Sequence, residues 1–279
     1  MHNDELLYRS LSHYFHVDVG PVPAAAIPSA DLDDPATLRR LIASQPAEMA
    51  DSAQPNVSGV MTAKLYGTVA VATVFAAALF DRALPIDRRM VYVLPGGDHG
   101  FRFLMADEAV TAAQRLQAKP GVRREALLRH LAGLFHDHVA PVWDRLSAET
   151  AADQRSMWSL LSTNIATLFL WGRQEPYVSR LGITPELQER MNMDEALVFA
   201  HGDDGPFPSW PRNPLAQPTR LFTPPAELGP PIYLRTKCCL RYRLYADGEP
   251  VPYCSTCPKI SDDERLRLMQ RGRSARDPQ

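Results

Sequence analysis

The first 237 residues contain no cysteine; all four cysteines of the 279-residue chain fall between positions 238 and 257. That distribution excludes a disulfide framework spread through the fold, and it excludes thiols used as scattered core filler. An excess of charge of one sign is also missing. Lys plus Arg number 30 against 32 Asp plus Glu, a formal net charge of -2, so long-range attraction to nucleic acid or to an anionic membrane is not expected. The amino terminus, Met-His-Asn-Asp-Glu, lacks the basic segment and apolar run of a secretory signal. The long apolar run Val69 to Phe80 is alanine-rich and shorter than the roughly twenty residues needed to span a bilayer. These absences predict a cytoplasmic protein without a transmembrane segment, whose thiols stay reduced. Neither a G-x-G-x-x-G nor a Walker pattern is present, and no Ser-His-Asp or paired-carboxylate arrangement stands out as hydrolytic.

What is present is concentrated near the carboxyl end. Lys237-Cys238-Cys239-Leu-Arg-Tyr-Arg-Leu244 is followed by Cys254-Ser-Thr-Cys257-Pro258, with fourteen residues between Cys239 and Cys254. Four thiols so close together read as one site. Zinc in a closed tetrahedron, an iron-sulfur cluster and a pair of disulfides all suit four cysteines. The Cys254-x-x-Cys257 pair serves either metal. The adjacent pair is harder to place, because neighbouring side chains diverge in most backbone conformations, which makes a single zinc ion awkward and a broader two-iron cluster easier. Arg235, Lys237, Arg241 and Arg243 crowd the first pair. Either they solvate a short terminal module, or they stabilise a reduced, more negative cluster and attract an anionic ligand or redox partner.

The segment Cys-Cys-x-Arg-Tyr-Arg-Leu followed by Cys-x-x-Cys resembles the FhuF-like ferric-siderophore reductases, cytoplasmic 2Fe-2S proteins of bacterial iron uptake. The resemblance implies that Cys238, Cys239, Cys254 and Cys257 hold a 2Fe-2S cluster. It further implies one-electron reduction of a siderophore-bound ferric ion, with hydroxamate siderophores favoured as substrate. With no dinucleotide or flavin fingerprint in the chain, the electron is expected from a separate donor such as a ferredoxin or a flavin reductase. The spacer here is longer than in that family, and Asp247-Gly248 with its flanking prolines reads as an outward loop. Upstream, Val139-Ala-Pro-Val-Trp143 and Met157-Trp158-Ser-Leu-Leu-Ser-Thr-Asn164 resemble the helical region before the cluster in that family. Two other readings of the four cysteines stay open: a zinc-stabilised binding protein, and an iron-sulfur carrier or sensor with no small-molecule substrate.

The rest of the chain predicts an α+β fold, predominantly helical, with a β-hairpin and a small C-terminal iron-sulfur-binding extension. Residues 1–201 form the mainly helical body with a possible siderophore pocket, 202–231 a proline-rich connector, and 232–279 the cluster-binding segment. Glu5 to Phe15 reads as a short helix, Gly20 to Ser29 as an extended connector, and Asp34-Pro35 as a capped helix start. Ser58 to Phe80 is a long, small-residue helix suited to the centre of the core. Arg89 to Leu94 and Phe101 to Met105 are strands joined by a glycine-rich turn. Val122 to Leu146, interrupted or started afresh at Pro141, and Ala152 to Trp171 are amphipathic helices. Thr184-Pro185 starts a further helix, and another is expected near Asp194. Nine prolines between Gly202 and Pro231 argue against regular structure there. Pro231 to Arg235 reads as a strand leading to Cys238, and Ser261-Asp-Asp-Glu264 as the capping box of a final helix. His130, His136 and His138 cluster in sequence, but positions 136 and 138 leave a helix on different faces, which suits a shared metal poorly.

Overall fold

The computed structural model describes residues 2–45, 54–96, 100–107, 110, 114–116, 120–246 and 249–274. In chain order the elements are α1 (His2–Phe15), β1 (Val17–Gly20), β2 (Ile27–Pro28), α2 (Pro35–Ala43), α3 (Pro55–Phe80), β3 (Arg82–Ala83), β4 (Val91–Pro95), β5 (Phe101–Ala106) and β6 (Gln114–Arg115). Then come α4 (Pro120–Gly133), α5 (Ala140–Thr150), α6 (Gln154–Trp171), α7 (Tyr177–Leu181), α8 (Pro185–Phe199), β7 (Arg220–Phe222), β8 (Ile232–Leu234), β9 (Tyr245–Ala246), β10 (Glu249–Pro250) and α9 (Asp262–Ser274). The fold is α+β and predominantly helical.

Helix α3 is the axis of the body. It starts with Pro55 at its first turn and is buried on nearly every side, because its Ala, Gly, Thr and Val side chains let α1, α5, α6 and α8 approach closely. At Gly59 a side chain would collide with Thr150 and Ala152, so the α3–α5 approach depends on that glycine. Among the described residues α3 is the one helix long and apolar enough to cross a membrane, yet 83% of its most apolar window is buried inside the protein. The apolar helix is therefore longer than the expected run from Val69 to Phe80. Packing against the other helices accounts for its apolar character.

A four-stranded sheet in the order β1-β5-β4-β2 covers one side of α3. Strands β4 and β5 form the expected antiparallel hairpin, with Val93 opposite Phe103, and Gly96 N–H donates to the Gly100 carbonyl across its base at 2.7 Å. The middle of that turn, 97–99, lies outside the described residues. The alternation Phe101, Phe103, Met105 faces inward, and Phe103 meets Tyr66 of α3 edge to face at 5.3 Å. The connector expected over Gly20 to Ser29 contributes to this sheet at both ends: β1 runs parallel to β5 and β2 pairs with β4. Pairings so distant in sequence leave no local signal.

A helix does start afresh at Pro141, which lies in the first turn of α5, and a π-helical turn at Leu134–Val139 joins it to α4. Two expected boundaries change. The helix expected near Asp194 is the second half of α8, which runs unbroken from its Thr184 cap. Asp194 is buried there by its ion pair with Arg123. The proline-rich connector contains a strand, β7, paired with β8 so that Phe222 faces Ile232. Between prolines, three residues suffice for an edge ribbon. The connector also wraps the body: Phe207 stacks on Phe135 at 5.3 Å, and Ser162 of α6 donates to the Leu215 carbonyl at 2.6 Å.

Candidate functional site

The ribbon β7–β8 brings the chain across α6 to the first cysteine pair. Gln174 donates to the Pro231 carbonyl at 3.1 Å, and Thr236 shares a 2.7 Å hydrogen bond with Ser159. Leu240 then takes a left-handed conformation, φ 62°. That turn aims consecutive amides at consecutive sulfurs: Leu240 N–H donates to Cys238 Sγ at 3.4 Å, and the Arg241 amide donates to Cys239. The second pair is arranged similarly, with Lys259 N–H on Cys257 Sγ at 3.5 Å and the Cys257 amide on the Cys254 carbonyl at 3.0 Å.

The four cysteines, none in a disulfide, come together as the sequence predicts. Cys239 and Cys257 are buried, 2% and 1% exposed, while Cys238 and Cys254 are half-buried. Cys238 Sγ and Cys257 Sγ lie 3.8 Å apart, and Cys239 accepts hydrogen bonds from the thiols of Cys238 and Cys254. Those two bonds hold the Cys239 thiol well below its ordinary range, with Arg235 pushing the same way. The Cys238 and Cys254 thiols are correspondingly raised, first by donating to Cys239 and then by burial. The divergence expected of adjacent cysteines does not keep these two sulfurs apart, since Cys238 and Cys239 are close enough to share a thiol hydrogen bond. With metal–sulfur bonds of about 2.3 Å, tetrahedral thiolates sit about 3.8 Å apart, so the Cys238–Cys257 separation fits two ligands of one metal ion. Among the described residues no group of three or more His, Cys, Asp or Glu side chains converges as a ligand set for a single ion. Four sulfurs in a row, each pair of neighbours bridged and amides donating to three of them, have the donor chemistry that thiolate-held metal centres require.

The basic residues divide. Arg235 donates to Cys254 Sγ at 3.5 Å, whereas Lys237 is exposed. Arg243 turns away, donating to Gln54 Oε1 at 2.7 Å beside the start of α3. Arg241 lines a groove of about 800 Å³ that also exposes Cys254. A fifth cation was missed. Lys64, the only charged residue of α3, is placed against this site. Burial pushes its pKa down and Arg235 adds to that, while Cys239 and Cys254 oppose the shift. The available signal was a lone lysine inside a 26-residue apolar helix.

Arg265 of α9 was missed as well. It is 1% exposed and donates to the carbonyls of Ser255, Cys257 and Ile260, tying the Cys254-x-x-Cys257 loop to the final helix. The capping box is complete in both directions, Ser261 N–H to Glu264 Oε2 at 2.9 Å and Glu264 N–H to Ser261 Oγ at 3.2 Å. The long spacer is a short hairpin, β9 against β10, with its Asp247-Gly248 turn outside the described residues. At its base Val251 N–H donates to the Leu244 carbonyl at 2.9 Å, and Tyr242 stacks on Tyr253 at 4.9 Å. The three histidines do not meet: His138 is buried between Tyr66 OH and the Ile86 carbonyl, and His136 accepts from Trp210 Nε1 at 3.1 Å. Trp143 and Trp158 are buried core side chains.

Fold and site together define a predominantly helical α+β protein that carries a four-thiol site on its C-terminal segment. No family model matches the chain, and no curated protein matches it in sequence. The likeness to ferric-siderophore reductases therefore rests on the cysteine segment itself.

Proposed function

We propose that the protein is a ferric-siderophore reductase in which Cys238, Cys239, Cys254 and Cys257 hold a 2Fe-2S cluster. The observation that carries this reading is the groove beside the site: half-buried Cys254 forms part of its lining together with Arg241 and Arg271, so a small molecule seated there would touch a thiolate ligand. A purely structural metal needs no such opening. Bound in this site, a thiolate-held two-iron cluster supplies one electron at a time. The residues around the sulfurs favour the extra negative charge: the Leu240, Arg241 and Lys259 amides and the Arg235 guanidinium donate to sulfur, and Lys64 interacts electrostatically with Cys239 and Cys254. The substrate half-reaction takes one electron into ferric iron and leaves ferrous iron, which hard oxygen ligands hold far more weakly, so the metal is released and the siderophore remains intact. The electron comes from a separate donor protein, a ferredoxin or a flavin reductase, and the reaction belongs to the cytoplasm.

A zinc-stabilised four-cysteine module is the second reading, because the 3.8 Å separation of Cys238 and Cys257 sulfurs suits two thiolates on one tetrahedral ion, zinc as well as one iron of a cluster. The test is anaerobic. Protein reduced by one electron equivalent is mixed with a ferric siderophore, and the return of its oxidised visible spectrum is followed together with trapping of ferrous iron. Reoxidation with matching ferrous iron supports the reductase. A coloured protein that the siderophore does not reoxidise is a carrier or sensor, and a colourless one with stoichiometric zinc is the structural module.

A further inference from the structure

Resting on the reductase reading, we propose that the groove beside Cys254 selects anionic ferric chelates, of the catecholate or carboxylate kind, over the neutral hydroxamate complexes that the sequence resemblance favours. The groove, about 800 Å³, lies between the second cysteine pair, the Arg241–Arg243 turn and α9, and its lining includes Arg241, Tyr253, Cys254, Leu268, Met269 and Arg271. That volume falls within the range of about 300–1,000 Å³ typical of small-molecule sites.

Three features set the charge of the occupant. None of the described residues lining the groove is acidic. Neither Arg241 nor Arg271 forms an ion pair with a carboxylate among the described residues, although Arg124, Arg173, Arg190 and Arg220 all do. Two guanidinium groups that line one concavity with no carboxylate on either, Arg271 donating only to the Arg267 carbonyl at 3.4 Å, are matched by a ligand carrying several negative oxygens. Behind the lining residue Tyr253, 39% exposed, the pattern continues: Tyr253 stacks on Tyr242, and Lys259 Nζ lies 5.3 Å from the Tyr242 ring centre. An aromatic face bordered by cations suits a flat, electron-rich ring such as a catecholate. Leu268 and Met269 supply the apolar floor. An oxygen-donor chelate placed between the two arginines lies against Cys254, the sulfur most open to that side, so the same residues that hold the chelate bring its ferric ion to the edge of the thiol site.

Gallium(III) chelates make the test independent of electron transfer, since gallium(III) has the ligand preferences of ferric iron and is not reduced. Binding of a triply anionic gallium tris-catecholate and of a neutral gallium trihydroxamate is measured by calorimetry on the intact protein, whose visible spectrum and metal content are recorded in parallel. The anionic complex is expected to bind at least about tenfold more tightly and to weaken with added salt. Arg241→Gln and Arg271→Gln are each expected to weaken it about tenfold to a hundredfold while leaving the neutral complex unaffected. Arg271 is remote from the cysteine loop in sequence, so its variant keeps the test valid if Arg241→Gln disturbs that loop. Equal or tighter binding of the neutral complex, no loss in either variant, or binding of neither complex would overturn the proposal; the last result would instead fit a groove that receives an acidic donor protein. Arginine-dependent binding of the anionic complex to a colourless, zinc-containing protein would uphold the groove assignment while removing the reductase reading.

Discussion

Replacing Arg265 by methionine tests how the second cysteine pair is held. The substitution keeps an unbranched apolar stem of similar length and removes every donor. Arg265 is 1% exposed. It donates to the Ser255 carbonyl, to the Cys257 carbonyl at 3.1 Å and to the Ile260 carbonyl at 3.3 Å, and its guanidinium lies 5.4 Å from the Phe222 ring centre. A hydrogen bond to a charged group contributes about 1.5–3 kcal/mol, and breaking a buried charged network costs about 3–5 kcal/mol. Part of the loop is close enough to solvent to rehydrate its carbonyls, so the loss is expected toward the lower end, about 3 kcal/mol. That is a large share of the roughly 5–15 kcal/mol that stabilises a whole domain, but here it falls on one loop, so local opening comes before global unfolding. Cys257 is 1% exposed in the native protein, and its labelling by a thiol reagent reports that opening. Once bound metal has been removed with chelator, Cys257 in Arg265→Met should label about a hundredfold faster than in the wild type, the rate corresponding to about 3 kcal/mol. Cysteine labelling and melting temperature both unchanged would refute the claim that Arg265 clamps the loop.

Lys64→Met removes a cation beside Cys239 and Cys254 but no ligand, so the visible spectrum should persist while redox titration gives a midpoint potential lower by on the order of tens of millivolts; an unchanged potential would make Lys64 only a packing residue. His138, with its Nδ1–H donating to the Ile86 carbonyl at 3.0 Å and Nε2 accepting from Tyr66 at 2.8 Å, is held neutral by burial with its pKa pushed down to about 4. The unfolded chain protonates near the ordinary value of 6.5, so it binds more protons than the fold between about pH 6.5 and 4. Stability should fall by roughly 3 kcal/mol as pH drops through that window, and a urea-unfolding series in which His138→Gln kept the full slope would contradict this assignment. Shortening the spacer between Ala246 and Glu249 should preserve the colour as long as Leu244 and Val251 are kept, because those two form the base of the hairpin; loss of the colour would show that the hairpin shapes the thiol site.

Signals confined to a few neighbouring residues were legible in the sequence. Asp34 and Thr184 cap their helices as read, Ser261 and Glu264 cap each other, and the β4–β5 hairpin pairs where its strands were placed. The gathering of the four cysteines follows from their spacing and from the capped helix beyond them. What sequence could not reveal depends on contacts between distant positions. Strand β1 joins β5 across more than eighty residues, and β7 becomes a strand only because β8 lies beside it. Arg265 looks like one among many surface charges until the fold buries it against three loop carbonyls, and Lys64, though conspicuous as the lone charge of α3, gives no sign in sequence that its neighbours are Cys239 and Cys254. The closeness of the adjacent Cys238 and Cys239 sulfurs depends on their own backbone and side-chain torsions, which no local pattern announces. Asp194 was read as a helix start from its residue type alone, and its buried partner Arg123 lies 71 residues away.

The most direct test of the central claim is the metal and sulfide content of protein purified anaerobically after iron-replete expression, measured together with its visible spectrum. The account predicts a red-brown protein with two irons and two acid-labile sulfides per chain, and loss or alteration of that colour in each single Cys→Ser variant at 238, 239, 254 and 257. A colourless protein with one zinc per chain and no labile sulfide would contradict it.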